Sequence, residues 1–483
     1  MRLSDAARAL DARLVGADAE ISSVSTDTRK LPAGCLFVAL KGPRFDGHAF
    51  AAQALEAGAA AVMVEQGASL DVSPALVVDD TRLALGRLAA WHRTTMPAKL
   101  AAITGSNGKT TVKEMVAAIL AEAAGADAVL ATSGNLNNDI GVPLTLLRLT
   151  PAHRYAVIEM GMNHPGELAY LTELARPDVA LVNNALRAHL EGLGSLEAVA
   201  RAKGEIYAGL KPDGTAIINA DDPHAGLWRN LNAGRPILSF GFARSADVRV
   251  QNLDDTAVSW QLASTRTRLR LNTPQGLIET TLNVPGEHNL RNAAAACACA
   301  LALGAGPAAV AAGLGRFSGV KGRLQSHSCI LGATLIDDTY NANPDSILAA
   351  IQVLSERPGT RILVLGDMGE LGPGAAEMHR EVGEKAKAAG IERLLCLGEM
   401  SVHSVQGFGS GAMHFERIEE LLAEIECALG QDVTVLVKGS RFMQMERVVK
   451  SFVEKADSPQ ASLPPGGADC PPRGGPSEGK QCS

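Results

Sequence analysis

Short apolar runs bounded by turn residues alternate with stretches whose apolar residues recur every three to four positions. Runs at residues 35–40, 60–64, 155–158, 179–182, 215–218, 334–336, 361–365 and 433–437 predict buried strands. The intervening alanine-rich stretches predict helices. This alternation predicts an α/β fold whose parallel sheets are covered on both faces. At 483 residues the chain is too long for one core. Its pattern divides into a small N-terminal α/β domain (1–85), a central parallel-sheet domain (86–318) and a C-terminal Rossmann-like domain (319–456). The stretch 457–483 is rich in Pro, Gly and Ser and is expected to be a disordered tail.

The central domain opens on the most informative segment, an apolar run into Thr104-Gly105-Ser106-Asn107-Gly108-Lys109-Thr110-Thr111. Val112, Met115, Val116, Ile119 and Leu120 continue it as a helix. Strand, glycine turn and helix N-terminus in that order form a phosphate cradle: free N–H groups and the helix dipole face an anion. Lys109 adds a charge for the β- and γ-phosphates, and Thr110 offers a hydroxyl to Mg2+. The first glycine of the general P-loop pattern is replaced by Ile103, so this is a shortened form.

In open α/β sheets ligands bind beyond the carboxyl ends of strands. Glu159 ends one predicted strand, Asn183 and Asn184 follow another with His189 close behind, and Asp337–Tyr340 follow a third. Glu159 and His189 would extend a metal shell begun by Thr110; spacing alone leaves His189 open between a ligand and a hydrogen-bonded loop histidine. Lys203 lies in the middle of a helical stripe running through Leu196, Val199, Ile206, Tyr207 and Leu210. An inward lysine must snorkel, pair with a carboxylate or be chemically altered.

Composition narrows the classes. Hydrophobic residues make up 46% and charged residues 20%, which suits a globular chain, and the net charge of −7 gives no pull toward nucleic acid. The eight cysteines form no CxxC pair, and Cys297 and Cys299 read as small buried thiols. No apolar run is long enough for a membrane span, and the first residues read as an amphipathic helix rather than a signal peptide, so a cytoplasmic location is expected.

Taken together, the motifs resemble the Mur ligases, ATP-dependent amide-forming enzymes of peptidoglycan precursor synthesis, over about residues 20–450. The resemblance is carried by the shortened P-loop, by Gly134-Asn135-Leu136-Asn137-Asn138-Asp139-Ile140-Gly141-Val142-Pro143, by Gly286-Glu287-His288-Asn289-Leu290-Arg291-Asn292 and by Gly322-Arg323. Within the family, four segments resemble the ligase that adds D-alanyl-D-alanine to UDP-N-acetylmuramoyl-tripeptide: 159–167, 188–192, 338–344 and 366–372. Ser25–Arg29 and Asp46-Gly47-His48 resemble the family's UDP-substrate segment.

The resemblance implies a three-domain Mur ligase architecture, ATP and Mg2+ as cofactors, the two substrates just named as partners, and a monomer. It implies that Gly105, Ser106, Asn107, Gly108, Lys109, Thr110, Thr111, Asn292, Arg323, Asp338 and Tyr340 contact ATP. It further implies that Thr110, Glu159, His189 and Lys203 hold metal, with Lys203 carbamylated, and that the C-terminal domain binds the dipeptide through residues 367–371 or 438–441. The alternatives are an earlier Mur ligase or a folylpolyglutamate synthase, which keep the chemistry and change the substrates, and a non-catalytic P-loop protein, whose ADP release would not depend on an amine.

Overall fold

The computed structural model describes residues 1–67, 71–253 and 266–456. The stretch after residue 456, expected to be disordered, lies outside the described residues. The chain divides into two compact units, Met1–Val320 with Glu370–Pro373, and Lys321–Gly369 with the rest. The first holds the N-terminal and central sheets; the second holds the C-terminal sheet.

The N-terminal sheet is built from β1 (Arg13–Val15), β2 (Ser23–Ser25), β3 (Cys35–Val38), β6 (Ala61–Glu65) and β7 (Ala75–Val78), in the order β1-β7-β6-β3-β2. A small hairpin, β4 (Lys41–Gly42) with β5 (Phe45–Asp46), stands beside it. The helix Thr81–Thr94 links this sheet to the central one. Its Leu85 and Leu88 pack in the N-terminal core, while Ala89 packs in the central core.

The central sheet holds β8 (Lys99–Thr104), β9 (Val129–Ala131), β10 (Tyr155–Glu159), β11 (Val179–Val182), β12 (Thr215–Asn219), β13 (Ile237–Gly241), β14 (Val248–Asn252), β15 (Thr267–Thr273) and β16 (Gly276–Leu282). Their order is β16-β15-β14-β13-β12-β11-β8-β10-β9. Successive residues face opposite cores, as the two-residue strand period requires. Ala101, Ile103, Val157 and Leu181 join the core containing the helix Lys109–Ala124, and Leu100, Ala102, Ile158 and Val182 join the other. The chain runs from β8 outward to β9, returns to β10, then crosses to β11 on the far side of β8. The strand order therefore reverses at β8, the place where open α/β sheets bind ligands.

Beyond β14 the sheet departs from the all-parallel expectation. β15 and β16 pair antiparallel with each other, and β15 pairs antiparallel with β14. The connection Pro274-Gln275 is too short for a parallel crossover and closes a hairpin instead.

In the second unit, β17 (Gln325–Ser328), β18 (Thr334–Asp338), β19 (Thr360–Gly366), β20 (Arg393–Leu397), β21 (Ala412–Phe415) and β22 (Val433–Lys438) order as β17-β18-β22-β19-β20-β21. All neighbours are parallel except β17, which is an antiparallel edge strand. The thiols of Cys297, Cys299 and Cys396 are buried, and burial pushes each well above the usual thiol range.

Candidate functional site

The P-loop leaves the carboxyl end of β8 and enters the helix Lys109–Ala124 at Gly108. Gly108 has φ +81°, and a β-carbon there would stand 2.6 Å from both Asn183 Nδ2 and Asn292 Oδ1, so this position admits only glycine. The first-turn N–H groups of a helix have no intrahelical acceptor, which makes this end of the helix an anion cradle. Lys109 Nζ curls over the loop and donates to the carbonyls of Gly105 (2.7 Å) and Ser106 (3.3 Å).

The loop is held from β11. Asn183 Nδ2 donates to Asn107 O (3.0 Å) and to Asn292 Oδ1 (2.9 Å). Asn184 pairs with the Asn107 backbone on both sides: its Oδ1 accepts from Asn107 N (2.9 Å) and its Nδ2 donates to Asn107 O (3.1 Å). Ser106 N–H donates to Asn184 O (3.0 Å), and Leu186 N–H to Ser106 Oγ (2.9 Å). Three regions distant in sequence thus meet around Gly108: the P-loop, the end of β11 and Asn292 on the helix Glu287–Ala302.

Glu159 ends β10, beside the start of the P-loop, and is 2% exposed. Its N–H donates to Thr132 Oγ1 (2.9 Å), and its Oε1 accepts from Asn137 Nδ2 (2.8 Å). Its Oε2 is buried with no hydrogen-bond partner among the described residues. A buried carboxylate oxygen left open is costly unless a ligand completes it.

His189 has φ +58°, a left-handed conformation that is strained for a residue with a β-carbon. Its Nδ1 lies 2.6 Å from Glu370 Oε2. That contact, with a smaller contribution from Lys109, holds the Glu370 carboxyl below its ordinary range.

Lys203 lies on the helix Leu196–Gly204 with Val199, Ala200 and Ala202 buried around it, and is itself 1% exposed. The inward direction read from its stripe is therefore the one it takes. No ion pair to Lys203 forms among the described residues. Burial pushes its ammonium well below the usual lysine value, and the nearby Lys109 charge pushes the same way. Among the described residues no three His, Cys, Asp or Glu side chains converge as a metal-binding group.

In the second unit, Arg323 stacks over Tyr340 with its guanidinium carbon 4.4 Å from the ring centre. Asp338 ends β18 opposite Lys438 at the end of β22. Lys438 Nζ donates to Asp338 Oδ2 (2.6 Å) and Asn341 O (2.9 Å). Burial raises the Asp338 pKa, while the Lys438 and Arg323 charges oppose the rise. Asp367, at the end of β19, accepts from Ser401 N–H (2.8 Å), and Ser440 Oγ accepts from Gly369 N–H (2.8 Å). His379 is locked as a neutral imidazole: Nδ1 donates to Ala375 O (2.7 Å) and Nε2 accepts from Met368 N–H (3.0 Å).

Three stretches of the chain match family descriptions: residues 20–94 match "Mur ligase family, catalytic domain", 103–300 match "Mur ligase middle domain" and 322–441 match "Mur ligase, glutamate ligase domain". The UDP-N-acetylmuramoyl-tripeptide–D-alanyl-D-alanine ligase of Escherichia coli (strain K12) is 48% identical over 454 residues, covering 94% of this chain and 98% of that protein. The chain belongs to the Mur ligase family. A crystal structure of MurF from Acinetobacter baumannii superposes with a TM-score of 0.84 at 37% identity, covering 93% of this chain and 98% of that one. The MurF ligase from Thermotoga maritima in complex with ADP gives 0.78 at 27% identity, covering 89% and 97%.

Against this Mur ligase frame, Asn183 and Asn184 were visible in the sequence only as polar residues after a strand, without a role. Lys113 was not singled out. It is 2% exposed and shares the helix stripe with Val116 and Leu120, the same signal that picked out Lys203.

Proposed function

We propose that the chain is an ATP-dependent ligase that joins D-alanyl-D-alanine to the terminal carboxylate of UDP-N-acetylmuramoyl-tripeptide through an acyl phosphate. The observation that carries this reading is its identity to the E. coli ligase across nearly the full length of both chains. A carboxylate does not form an amide with an amine unaided at neutral pH. A carboxylate oxygen of the tripeptide therefore first attacks the γ-phosphorus of ATP, and ADP leaves. The free amine of the dipeptide then attacks the acyl carbon and loses a proton, and phosphate departs with the former carboxylate oxygen.

Gly105, Ser106, Asn107, Gly108, Lys109, Thr110 and Thr111 form the nucleotide cradle in this reading, with Asn292 braced against Gly108 through Asn183. Lys109 draws charge from the transferring phosphoryl group. In the C-terminal unit, Arg323 and Tyr340 offer a stacked cation and ring, and Asp338 a carboxylate held by Lys438; we assign these three to nucleotide binding. Residues 367–371 and 438–441 are assigned to the dipeptide.

The donor set fits Mg2+. Glu159 Oε2 is a buried oxygen with an open valence, and oxygen ligands suit a hard cation. Mg2+, when bound, offsets the repulsion between the γ-phosphate and the approaching carboxylate. Thr110, Glu159, His189 and Lys203 would hold it. Lys203 can join only as an anion. Burial favours its neutral amine, the form that adds CO2 to give a carbamate and release a proton.

Among the described residues no helix is long and apolar enough to cross a membrane. The proposed place of action is the cytoplasm, where ATP is available.

The test is ADP release by the purified chain with ATP, Mg2+ and the UDP-muramoyl-tripeptide, with and without D-alanyl-D-alanine. Sustained ADP release is expected only when both substrates are present. Release indifferent to the dipeptide would contradict the ligase reading and favour a nucleotide switch.

A further inference from the structure

We propose that Lys113 is a positioning residue for Glu159, tying the P-loop helix to the segment that aims this carboxylate; the inference deepens the metal-site reading above and rests on it for its functional meaning. Lys113 projects from the helix Lys109–Ala124 into the protein and takes no part in the phosphate cradle. Its Nζ donates to Thr132 O (2.7 Å) and is paired with Glu114, which is partly exposed. Thr132 lies one residue beyond β9 and is 2% exposed. All three of its polar groups are used: its carbonyl by Lys113, its N–H by Val157 O (3.0 Å) and its hydroxyl by Glu159 N–H (2.9 Å).

From Thr132 the chain runs into the loop that carries Asn137. Asn137 holds Glu159 Oε1 through its side chain (2.8 Å), and its carbonyl accepts from Gly161 N–H (2.8 Å). The backbone and one carboxylate oxygen of Glu159 are thus both fixed by residues 132–137, which leaves Oε2 as the open oxygen. β9 is only three residues long and, among the described residues, pairs with β10 alone, so the sheet by itself holds this segment weakly. The Lys113 ammonium supplies the missing anchor, in a buried setting where a lone carbonyl would otherwise lack its donor. The same helix begins at the phosphate cradle, so a single element sets both the cradle and the aim of Glu159.

Lys113→Met keeps the side-chain volume and removes the donor. Two readouts decide. In hydrogen–deuterium exchange, segments 132–140 and 159–161 should exchange faster in the variant while the P-loop segment does not change. Mn2+ binding, followed by its EPR signal with a non-hydrolysable ATP analogue, should weaken by about tenfold, as for loss of an outer-shell partner of a metal ligand. Affinity for the analogue itself should stay within about twofold, because Lys109 and the loop are untouched.

Thr132→Val breaks the next link and should act in the same direction. Combined with Lys113→Met it should add less than the sum of the two, since both act through one chain of contacts. It also carries the test if Lys113→Met fails to fold. Unchanged exchange at 159–161, or fully additive effects on Mn2+ affinity, would overturn the proposal. Glu159→Gln is the control: if it leaves Mn2+ binding unchanged, the metal reading of Glu159 falls, and the exchange result still decides what Lys113 does.

Discussion

Lys109→Met is expected to lower kcat for ligation by about 10²–10³-fold at saturating ATP, the usual cost of losing one preorganised charge contact to a transferring group. The side chain sits directly after Gly108, where only a glycine fits between Asn183 and Asn292, and its ammonium already lies over the loop at 2.7 Å from Gly105 O. The fold should survive, because the P-loop is held chiefly by Asn183 and Asn184 and the helix by its buried apolar stripe. Steady-state kinetics together with a thermal melt check both halves. A variant with near wild-type kcat would remove Lys109 from the phosphoryl-transfer step.

Lys203→Ala is expected to lose at least about 10²-fold in kcat, since a metal-organised charge interaction contributes several kcal/mol. ATP-analogue binding should be little changed. Acetate or formate should restore part of the rate by supplying an anion in the vacated space, whereas chloride should not. A companion effect follows from linkage. The folded pKa of Lys203 lies below the unfolded value of about 10.4, so between the two the unfolded chain binds one more proton. In CO2-free buffer the stability of the wild-type chain should therefore rise with pH across that window. Lys203→Met should lack this slope and be the more stable protein at neutral pH. Full activity of the alanine variant, or no rescue by any small carboxylate, would reduce Lys203 to a buried structural amine.

Much of this was legible in the sequence because one signal ruled locally. Strands such as β3 and β11 are continuous apolar runs, buried throughout, so pattern alone found them. The inward direction of Lys203 followed from helical spacing in the same way. Lys113 obeys that rule too, but it stands four residues after Lys109, in a segment where the stronger signal is the phosphate chemistry of Lys109, Thr110 and Thr111.

The hairpin of β15 and β16 carries no continuous apolar run; its strands alternate polar with apolar residues, with Arg268, Arg270 and Glu279 on one face and Leu269, Leu271 and Ile278 on the other, the pattern of a half-buried antiparallel pair. The embrace of Asn107 by Asn183 and Asn184, and the meeting of His189 with Glu370, join residues far apart in the chain. No local periodicity encodes such contacts; they exist only once the strand order is fixed.

In this mechanism the tripeptide carboxylate is phosphorylated before the amide forms. The most direct measurement uses UDP-muramoyl-tripeptide labelled with 18O in both oxygens of its terminal carboxylate, turned over with unlabelled ATP and D-alanyl-D-alanine. Mass analysis of the inorganic phosphate should find one 18O per molecule released, with the second retained in the new amide carbonyl. Phosphate free of 18O alongside labelled amide product would contradict the acyl phosphate.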